Sequence, residues 1–586
     1  MASIRLFTRL RPRPSQVLQA RRHPASPHSF RSPQTPNIRC KSTHAPDTTS
    51  SRSKSIYFYV LAFGAAVGAL GSYTIPKLLS TKPHQESQTF HTSAGLNSAY
   101  GTAEDFRKAI SELHDNFLDE GVVSTDPDVL HVHGYSENDY HPSSSPTVVV
   151  YANSTEDVVK IVNISRKYRM PIVPYSGATS LEGQYRAPAV GGICVDMSNM
   201  DKILEIHEAD SDVVCQPGAR WMDVNEVLKE KGIPLFFPID PGPAATFGGM
   251  ISNGCSGTNA VRYGTAKGEW FLNVTVVLPS GEVIKTRQRS RKSSAGFDTT
   301  KLFIGAEGTL GIITEVTIKL APVLPTNVAV AQFPDVRRAT EAVIEILNQG
   351  LGIQCVELCD DDFMRSTNLY GASSRKWAEV DSLFFKFQGP TPAALKETAA
   401  AVKRITEKHG STSFDLAKDD EEAAMLWADR KNALYSGLAL VEGSRGWSTD
   451  VCVPISRLPD LVYETKKDIQ ESGIVSTIVG HVGDGNFHAL LLFRTDEELA
   501  TIRHLVHRMV RRAIALDGTC TGEHGVGIGK REYLYEELGE GTVELMKTVK
   551  RAIDPLNLFN PGKLYPDKPG DEPHLVPSSG AAQRHS

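Results

Sequence analysis

No two cysteines of the 586-residue sequence stand at CxxC spacing; the eight are scattered as Cys40, Cys194, Cys215, Cys255, Cys355, Cys359, Cys452 and Cys520. That pattern argues against a disulfide framework and a zinc ribbon, and leaves the thiols as small core side chains. A strong charge bias is also missing. A net charge of −5 offers nothing to a phosphate backbone, so no nucleic-acid partner is expected. No internal repeat is present. A Rossmann fingerprint is absent too: "GVGIG" at 525–529 follows no hydrophobic strand and lacks the third-glycine spacing. The length exceeds what one core supports and predicts roughly two to four units.

Acidic residues are almost absent from the first 54 positions, which hold nine Arg, two Lys and only Asp47. An Arg-rich, Ser-rich, acid-poor composition predicts a mitochondrial transit segment over 1–54. Charge disappears altogether in "IYFYVLAFGAAVGALGSYTI", residues 56–75. As a helix this stretch is about 30 Å long, one hydrocarbon core. Arg52 and Lys54 precede it, Lys77 follows it, and Tyr57, Tyr59 and Tyr73 sit where interfacial aromatics belong. The long basic stretch before it excludes a secretory signal. A single transmembrane helix is therefore expected within 55–79. It would anchor the chain in the mitochondrial inner membrane, with the catalytic body on the intermembrane-space side.

A linker and N-terminal helical segment is expected over 80–141. Phe106, Ile110, Leu113 and Phe117 recur there at helical spacing within 104–118. From Pro146 short apolar runs such as "TVVVYA", "GGICVDMS" and "VTVVLPSG" alternate with helical patterns at 155–168 and 221–232. That texture predicts an α+β domain over 142–322. A second α+β region is expected over 323–565, with helices at 337–350 and 393–410 and strands at 382–389 and 476–483. Residues 566–586, rich in Pro, Gly and Ser, read as a disordered tail.

Three glycine-rich loops stand out: "PYSGATSLEG" (174–183), "PGPAATFGGMISNGCSGTNAVRYG" (241–264) and "GAEGTLGIIT" (305–314). Glycine allows the close approach and the dihedrals of a phosphate-binding nest. One such loop is weak evidence, whereas three in one domain predict a dinucleotide lying across it. Further on, "HVGDGNFH" (481–488) places His481 and His488 seven apart around two glycines. Each glycine disfavours a helix by about 1 kcal/mol, and a strand would point the rings to opposite faces. A tight loop that brings both rings to one point remains, which suggests a metal or an anionic substrate. Glu523 and His524 lie in a second glycine-flanked loop, "TGEHGVG".

In this order the three loops resemble the FAD-binding domain of the vanillyl-alcohol-oxidase type, also called PCMH-type. "HVGDGNFH", "TCTGEHGVG" and "DPLNLFNPGK" resemble its D-2-hydroxyacid dehydrogenase branch. The resemblance covers about residues 100–565. It implies an α+β protein, with a two-subdomain PCMH-type FAD-binding domain over 142–322 and an α+β FAD-linked oxidase C-terminal substrate domain over 323–565. It implies that Pro174, Ser176, Gly177, Ala178, Thr179 and Ser180 wrap the FAD pyrophosphate. Gly242, Thr246, Gly249, Ser252, Gly257 and Thr258 would lie along the cofactor, Ile313 on its adenine side and Asn560 near the flavin ring. Relatives that bind flavin covalently carry a histidine where this chain has Thr179, so noncovalent FAD is expected.

Family similarity further implies His481, His488 and Glu523 as ligands of a divalent ion, Zn²⁺ or Mn²⁺; two imidazoles and a carboxylate suit either. His524 would be the general base, with a pKa near working pH. Arg430 would clamp the substrate carboxylate. The activity implied is oxidation of a small D-2-hydroxy acid such as D-lactate to its 2-oxo acid, with the hydride going to FAD and the electrons on to cytochrome c. Ser448 and Leu490 stand where hydroxyglutarate-type relatives carry polar groups, which favours a monoacid; hydroxyglutarate oxidation is the alternative within the class. A metal-dependent hydrolase and a non-catalytic flavin-fold protein are the alternatives outside it.

Overall fold

The computed structural model describes residues 100–373 and 375–567. The expected transit segment over 1–54, the apolar span within 55–79, the linker up to residue 99 and the tail from 568 lie outside the described residues. Among the described residues no helix is long and apolar enough to cross a membrane.

The first sheet sets Val123–Ser124, Val148–Tyr151, Ile193–Asp196 and Ile172–Tyr175 side by side in that order. The last three strands run parallel. "TVVVYA" shows no polar alternation because Val148, Val149 and Val150 are all buried, as in a parallel strand covered on both faces. Helices Ala103–Asn116 and Thr155–Tyr168 start on the side-chain caps of Thr102 and Ser154 and carry acids in their first turns. They pack Leu113, Val158 and Ile161 into this sheet's core. Leu558 and Phe559 join the same core. The Asn560 N–H donates to the Ile172 carbonyl at 2.7 Å. "DPLNLFNPGK" thus returns to the first sheet, although in sequence it ends the second expected domain.

The second sheet is antiparallel, in the order Ile203–His207, Asp212–Cys215, Ile312–Lys319, Phe271–Val277 and Val283–Lys285. Its core takes in helices Trp221–Glu230 and Phe247–Asn253. These two sheets correspond to the two subdomains expected of the first domain.

Leu235–Phe236 and Ala321–Pro322 form a short two-stranded ribbon, and the largest sheet among the described residues is antiparallel with eight strands. Helices Val336–Asn348, Pro392–Lys408, Leu458–Ser472 and Asp496–Ala515 pack into the core on one of its faces. Strand alternation then decides what the other face carries. In Asn486–Phe493, Phe487, Ala489, Leu491 and Phe493 enter this core, so His488 faces away from it. In Ile353–Cys359, Val356 and Leu358 enter it, while Cys355 and Cys359 belong to the opposite core with Glu357 between them.

Candidate active site

"HVGDGNFH" is the turn of a hairpin. Ser476–Gly480 pairs with Asn486–Phe493, with Val479 opposite His488. The Asp484 and Asn486 N–H groups both donate to the His481 carbonyl and close the turn. Gly485 has φ +79°, and a Cβ there would lie 2.0 Å from the Val453 carbonyl oxygen, so only glycine fits. The turn breaks the strand alternation that would have separated the two imidazoles. Their ring centroids lie 5.3 Å apart.

The second loop is held by Asp450, a buried carboxylate on the short segment between two strands of the large sheet. Its Oδ2 accepts from the Glu523 N–H and the His524 N–H, each at 2.9 Å, and from Thr521 Oγ1 at 2.7 Å. One carboxylate therefore positions the backbone of both Glu523 and His524. Glu523 Oε1 lies 3.1 Å from His481 Nε2 and 3.2 Å from His488 Nε2. Its Oε2 accepts from Ser256 Oγ at 2.7 Å, a contribution of the first domain's second glycine-rich loop.

This donor set fits a cation. His488 Nδ1 lies 2.9 Å from the Thr449 carbonyl, which can only accept, so that nitrogen carries the proton and Nε2 presents a lone pair. His481 Nδ1 lies 2.9 and 3.0 Å from the two Glu357 oxygens, and that anchoring also turns its Nε2 toward Glu523. Two lone pairs and a carboxylate oxygen then face one another and require a shared positive charge. Burial opposes protonation of His481, but Glu357 and Glu523 outweigh it and raise the ring's pKa well above its ordinary value. A divalent ion would supply that charge, and His₂Glu suits Zn²⁺ or Mn²⁺. Among the described residues a second acidic group with metal-like spacing, Asp360–Asp361–Asp362, already has a cation: Lys466 Nζ is 2.6 Å from Asp361 and 3.7 Å from Asp360.

His524 stacks on His488, with centroids 4.8 Å apart and planes at 11°. The Gln184 side chain donates to its backbone carbonyl at 2.7 Å. Its Nδ1 is buried and has no hydrogen-bond partner among the described residues. The pKa expected near working pH needs correction: burial pushes the ring down to about 4, so it is neutral throughout the physiological range. Arg430 is buried at the end of helix Asp420–Lys431, not on the surface. Its Nη2 donates to Glu357 Oε2 at 2.6 Å, and its Nε has no partner among the described residues.

One cavity of about 660 Å³ collects these groups with the glycine-rich loops. Pro174, Ser176, Gly177, Ala178, Thr179 and Ser180 line it. A Cβ on Gly177 would come 2.8 Å from the Ala244 carbonyl oxygen, so the first two loops approach closely only because that residue is glycine. Gly242, Thr246, Gly249, Ser252, Gly257 and Thr258 line it from the second loop. Ile313 and Asn560 complete the expected cradle, and His481, Glu523, His524 and Arg430 share the wall. His488 stands directly behind His524.

Ser448 and Leu490, by contrast, do not form the wall. A Cβ on Gly437 or Gly446 would lie 2.6 or 2.7 Å from the Leu490 side chain, which thus packs behind helix Ala433–Leu438. Leu434 and Tyr435 of that helix line the cavity, as does the exposed cation Lys431. Lys431 is thus a cation at the cavity that the Ser448 and Leu490 positions did not reveal. Sequence reasoning also missed Glu357, Asp450, Ser256 and Glu307. Glu307 has φ +52° and accepts the Val526 and Gly527 N–H groups at 2.6 and 2.9 Å, joining the third glycine-rich loop to the His524 loop. The available signal for Glu357 was a lone acid within the otherwise apolar run "CVELC".

A glycine-lined cradle over two small sheets, with a His–His–Glu cluster and a neutral histidine in the same cavity, defines a flavin-linked oxidoreductase. Residues 146–287 match the family described as FAD binding domain, and 325–564 match FAD linked oxidases, C-terminal domain. The chain is 43% identical to "D-lactate dehydrogenase [cytochrome], mitochondrial" of Arabidopsis thaliana, over 76% of this chain and 78% of the relative. It is also 43% identical to "D-lactate dehydrogenase [cytochrome] 1, mitochondrial" of Saccharomyces cerevisiae, over 80% of each. The D-2-hydroxyglutarate dehydrogenase of Stutzerimonas stutzeri is 28% identical over 78% of this chain and 98% of the relative. The fold matches 4-ethylphenol oxidase from Gulosibacter chungangensis at TM-score 0.66 and 18% identity, covering 81% of this chain and 98% of that one. The chain belongs to the FAD-linked oxidase family, in the group of the D-lactate dehydrogenases (cytochrome).

Proposed function

We propose that the chain oxidises D-lactate and similar small D-2-hydroxy acids to 2-oxo acids, with noncovalent FAD as hydride acceptor and cytochrome c as the onward acceptor. The observation that carries this reading is that the glycine-rich cradle, His481 and Glu523 of the His481–His488–Glu523 cluster, Arg430 and His524 line one cavity. The names of the 43% identical relatives support the substrate and the acceptor. When bound, FAD supplies the two-electron acceptor, and a divalent ion at the cluster supplies a Lewis acid for the substrate's oxygens.

The protein's own groups do the rest. Arg430 offers its unpartnered Nε side to the substrate carboxylate in charge-assisted hydrogen bonds. His524 is held neutral and accepts the substrate's hydroxyl proton at Nδ1, the buried nitrogen without a partner. Asp450, already bonded to the His524 backbone N–H, stabilises the imidazolium that forms. Leu434 and Tyr435 offer apolar surface to the substrate from the cavity lining. Hydroxyglutarate oxidation stays the second reading because Lys431 also lines the cavity.

The test is an absorbance spectrum of the purified protein before and after D-lactate. Bleaching of a flavin band with D-lactate and not with L-lactate is expected. A colourless protein would fit a hydrolase using the same cluster, and equal bleaching by both enantiomers would remove the stereochemical claim. Faster reduction by D-2-hydroxyglutarate would reverse the substrate order. The Arg-rich, acid-poor 1–54 segment, the uncharged 56–75 span and the relatives' mitochondrial names support anchoring in the mitochondrial inner membrane, with the body facing the intermembrane space. Carbonate extraction and protease access in mitoplasts test the anchor and the side.

A further inference from the structure

Glu357 belongs to no glycine-rich loop and lies 73 residues from Arg430 and 124 from His481, yet one carboxylate serves both. It is fully buried on the middle of strand Ile353–Cys359, on the sheet face opposite the four-helix core. Oε2 accepts from Arg430 Nη2 at 2.6 Å and sits 2.9 Å from His481 Nδ1, while Oε1 sits 3.0 Å from the same nitrogen. A carboxylate can accept about four hydrogen bonds, so it serves both donors without strain. Among the described residues no other carboxylate hydrogen-bonds both groups.

We infer that Glu357 is a positioning residue that ties substrate-carboxylate recognition to metal retention. This inference rests on the proposed metal role of His481, His488 and Glu523. Toward His481, the carboxylate fixes the proton on Nδ1 and leaves Nε2 as the ligating atom; partners of this kind typically contribute 10–100-fold in metal affinity. Toward Arg430, it engages Nη2 and so aims the guanidinium plane, with Nε directed elsewhere. The charges support the same division of labour. A divalent ion, Arg430 and a monocarboxylate substrate sum to +2, and Glu523 with Glu357 sum to −2. Buried charge is tolerated only when paired, so deleting Glu357 leaves a cation uncompensated among buried side chains. Removing one carboxylate should therefore damage two functions at once.

The experiment uses the full-length holoenzyme and its Glu357→Gln and Glu357→Asp variants, each checked for flavin content and thermal midpoint. Zn²⁺ and Mn²⁺ affinity is measured by titrating the metal-stripped, FAD-loaded protein; KM and kcat for D-lactate are measured with the metal saturating. For Glu357→Gln a metal Kd about 10–100-fold weaker is expected, together with a KM raised at least several-fold at saturating metal. Arg430→Lys should raise KM while leaving the metal Kd within about threefold of wild type, because His481 keeps its acceptor. Wild-type metal affinity in Glu357→Gln, or a defect in only one of the two properties, overturns the coupling and leaves the metal site standing. If Glu357→Gln does not fold, Glu357→Asp decides: it keeps the charge but its shorter side chain draws back from both partners, so both defects are expected in weaker form. Wild-type values for both properties in that variant overturn the coupling equally. A wild-type protein that binds neither ion removes the metal reading, and this inference with it.

Discussion

Asp450→Asn is the sharpest single perturbation of this site, because one buried carboxylate carries the whole Thr521–His524 loop. Its Oδ2 holds three donors between 2.7 and 2.9 Å, and its Oδ1 accepts from Asn486 Nδ2 at 2.7 Å. Burial alone would raise this carboxyl, but Lys530, His524 and His488 outweigh burial and hold it well below the usual carboxylate range. An asparagine can keep its carbonyl under the loop N–H groups, but its NH₂ then faces the NH₂ of Asn486. Flipping Asn486 would remove that conflict and lose its 2.8 Å bond to the Val451 carbonyl. At least one buried donor is stranded either way, at about 1–3 kcal/mol. Lys530 also loses an anion 3.7 Å away and keeps Glu182 at 3.3 Å. Together these losses come to about 3–5 kcal/mol, the usual cost of breaking a buried charge pair. Function should suffer as well, since a displacement of about 1 Å of a reacting group costs on the order of 10²-fold in rate. Denaturant unfolding gives the first quantity, and stopped-flow flavin reduction by D-lactate gives the second. A variant within about 1 kcal/mol of wild type that reduces its flavin at the wild-type rate would refute this account of the loop.

His524→Ala should keep its metal and flavin but lose about 10²- to 10⁴-fold in turnover, whereas His488→Ala should lose metal occupancy and recover partly with added Zn²⁺ or Mn²⁺; metal analysis separates the two before any kinetics. Acid precipitation should release the flavin completely, because Thr179 stands where covalent relatives place a histidine; flavin remaining in the pellet contradicts this. Glu307→Gln should change the pH profile of stability. Burial raises the Glu307 carboxyl from 4.5 to about 7, so between those values the native state holds a proton that the unfolded chain has lost. Its contribution is complete below pH 4.5 and is lost as pH rises through about 7. Burial lowers Lys563 from 10.5 to about 7, so its slope has the opposite sign and lies above pH 7. Comparing unfolding midpoints of wild type and Glu307→Gln from pH 4.5 to 7 isolates the acidic limb, and parallel profiles would contradict the assignment.

Local chemistry was legible in the sequence wherever a residue type is required by backbone geometry or by a short motif. Gly177 and Gly485 are such positions, since a Cβ at either would collide with a carbonyl oxygen. Helix Thr155–Tyr168 follows in the same way from its Ser154 cap and its apolar spacing. The cradle residues from Pro174 to Ile313 line one cavity with His481, Glu523 and His524, and His488 stacks on His524. Periodicity alone also reveals which face of a strand a residue occupies, and so which way His488 points. It cannot reveal the partner on that face. Glu357 meets Arg430 and His481 across 73 and 124 residues, and Asp450 meets His524 across 74, because separate strands and loops converge only in the packed sheet. The same reason hid the return of Leu558 and Phe559 to the first sheet and moved Leu490 behind the cavity wall. It also explains the His524 pKa: the residue type sets the starting value, and burial by distant elements sets the final one. The sequence by itself determined the glycine- and histidine-bearing motifs and their backbone requirements. Only the tertiary structure decided which buried charges neutralise one another, because that depends on distances between segments that no local pattern encodes.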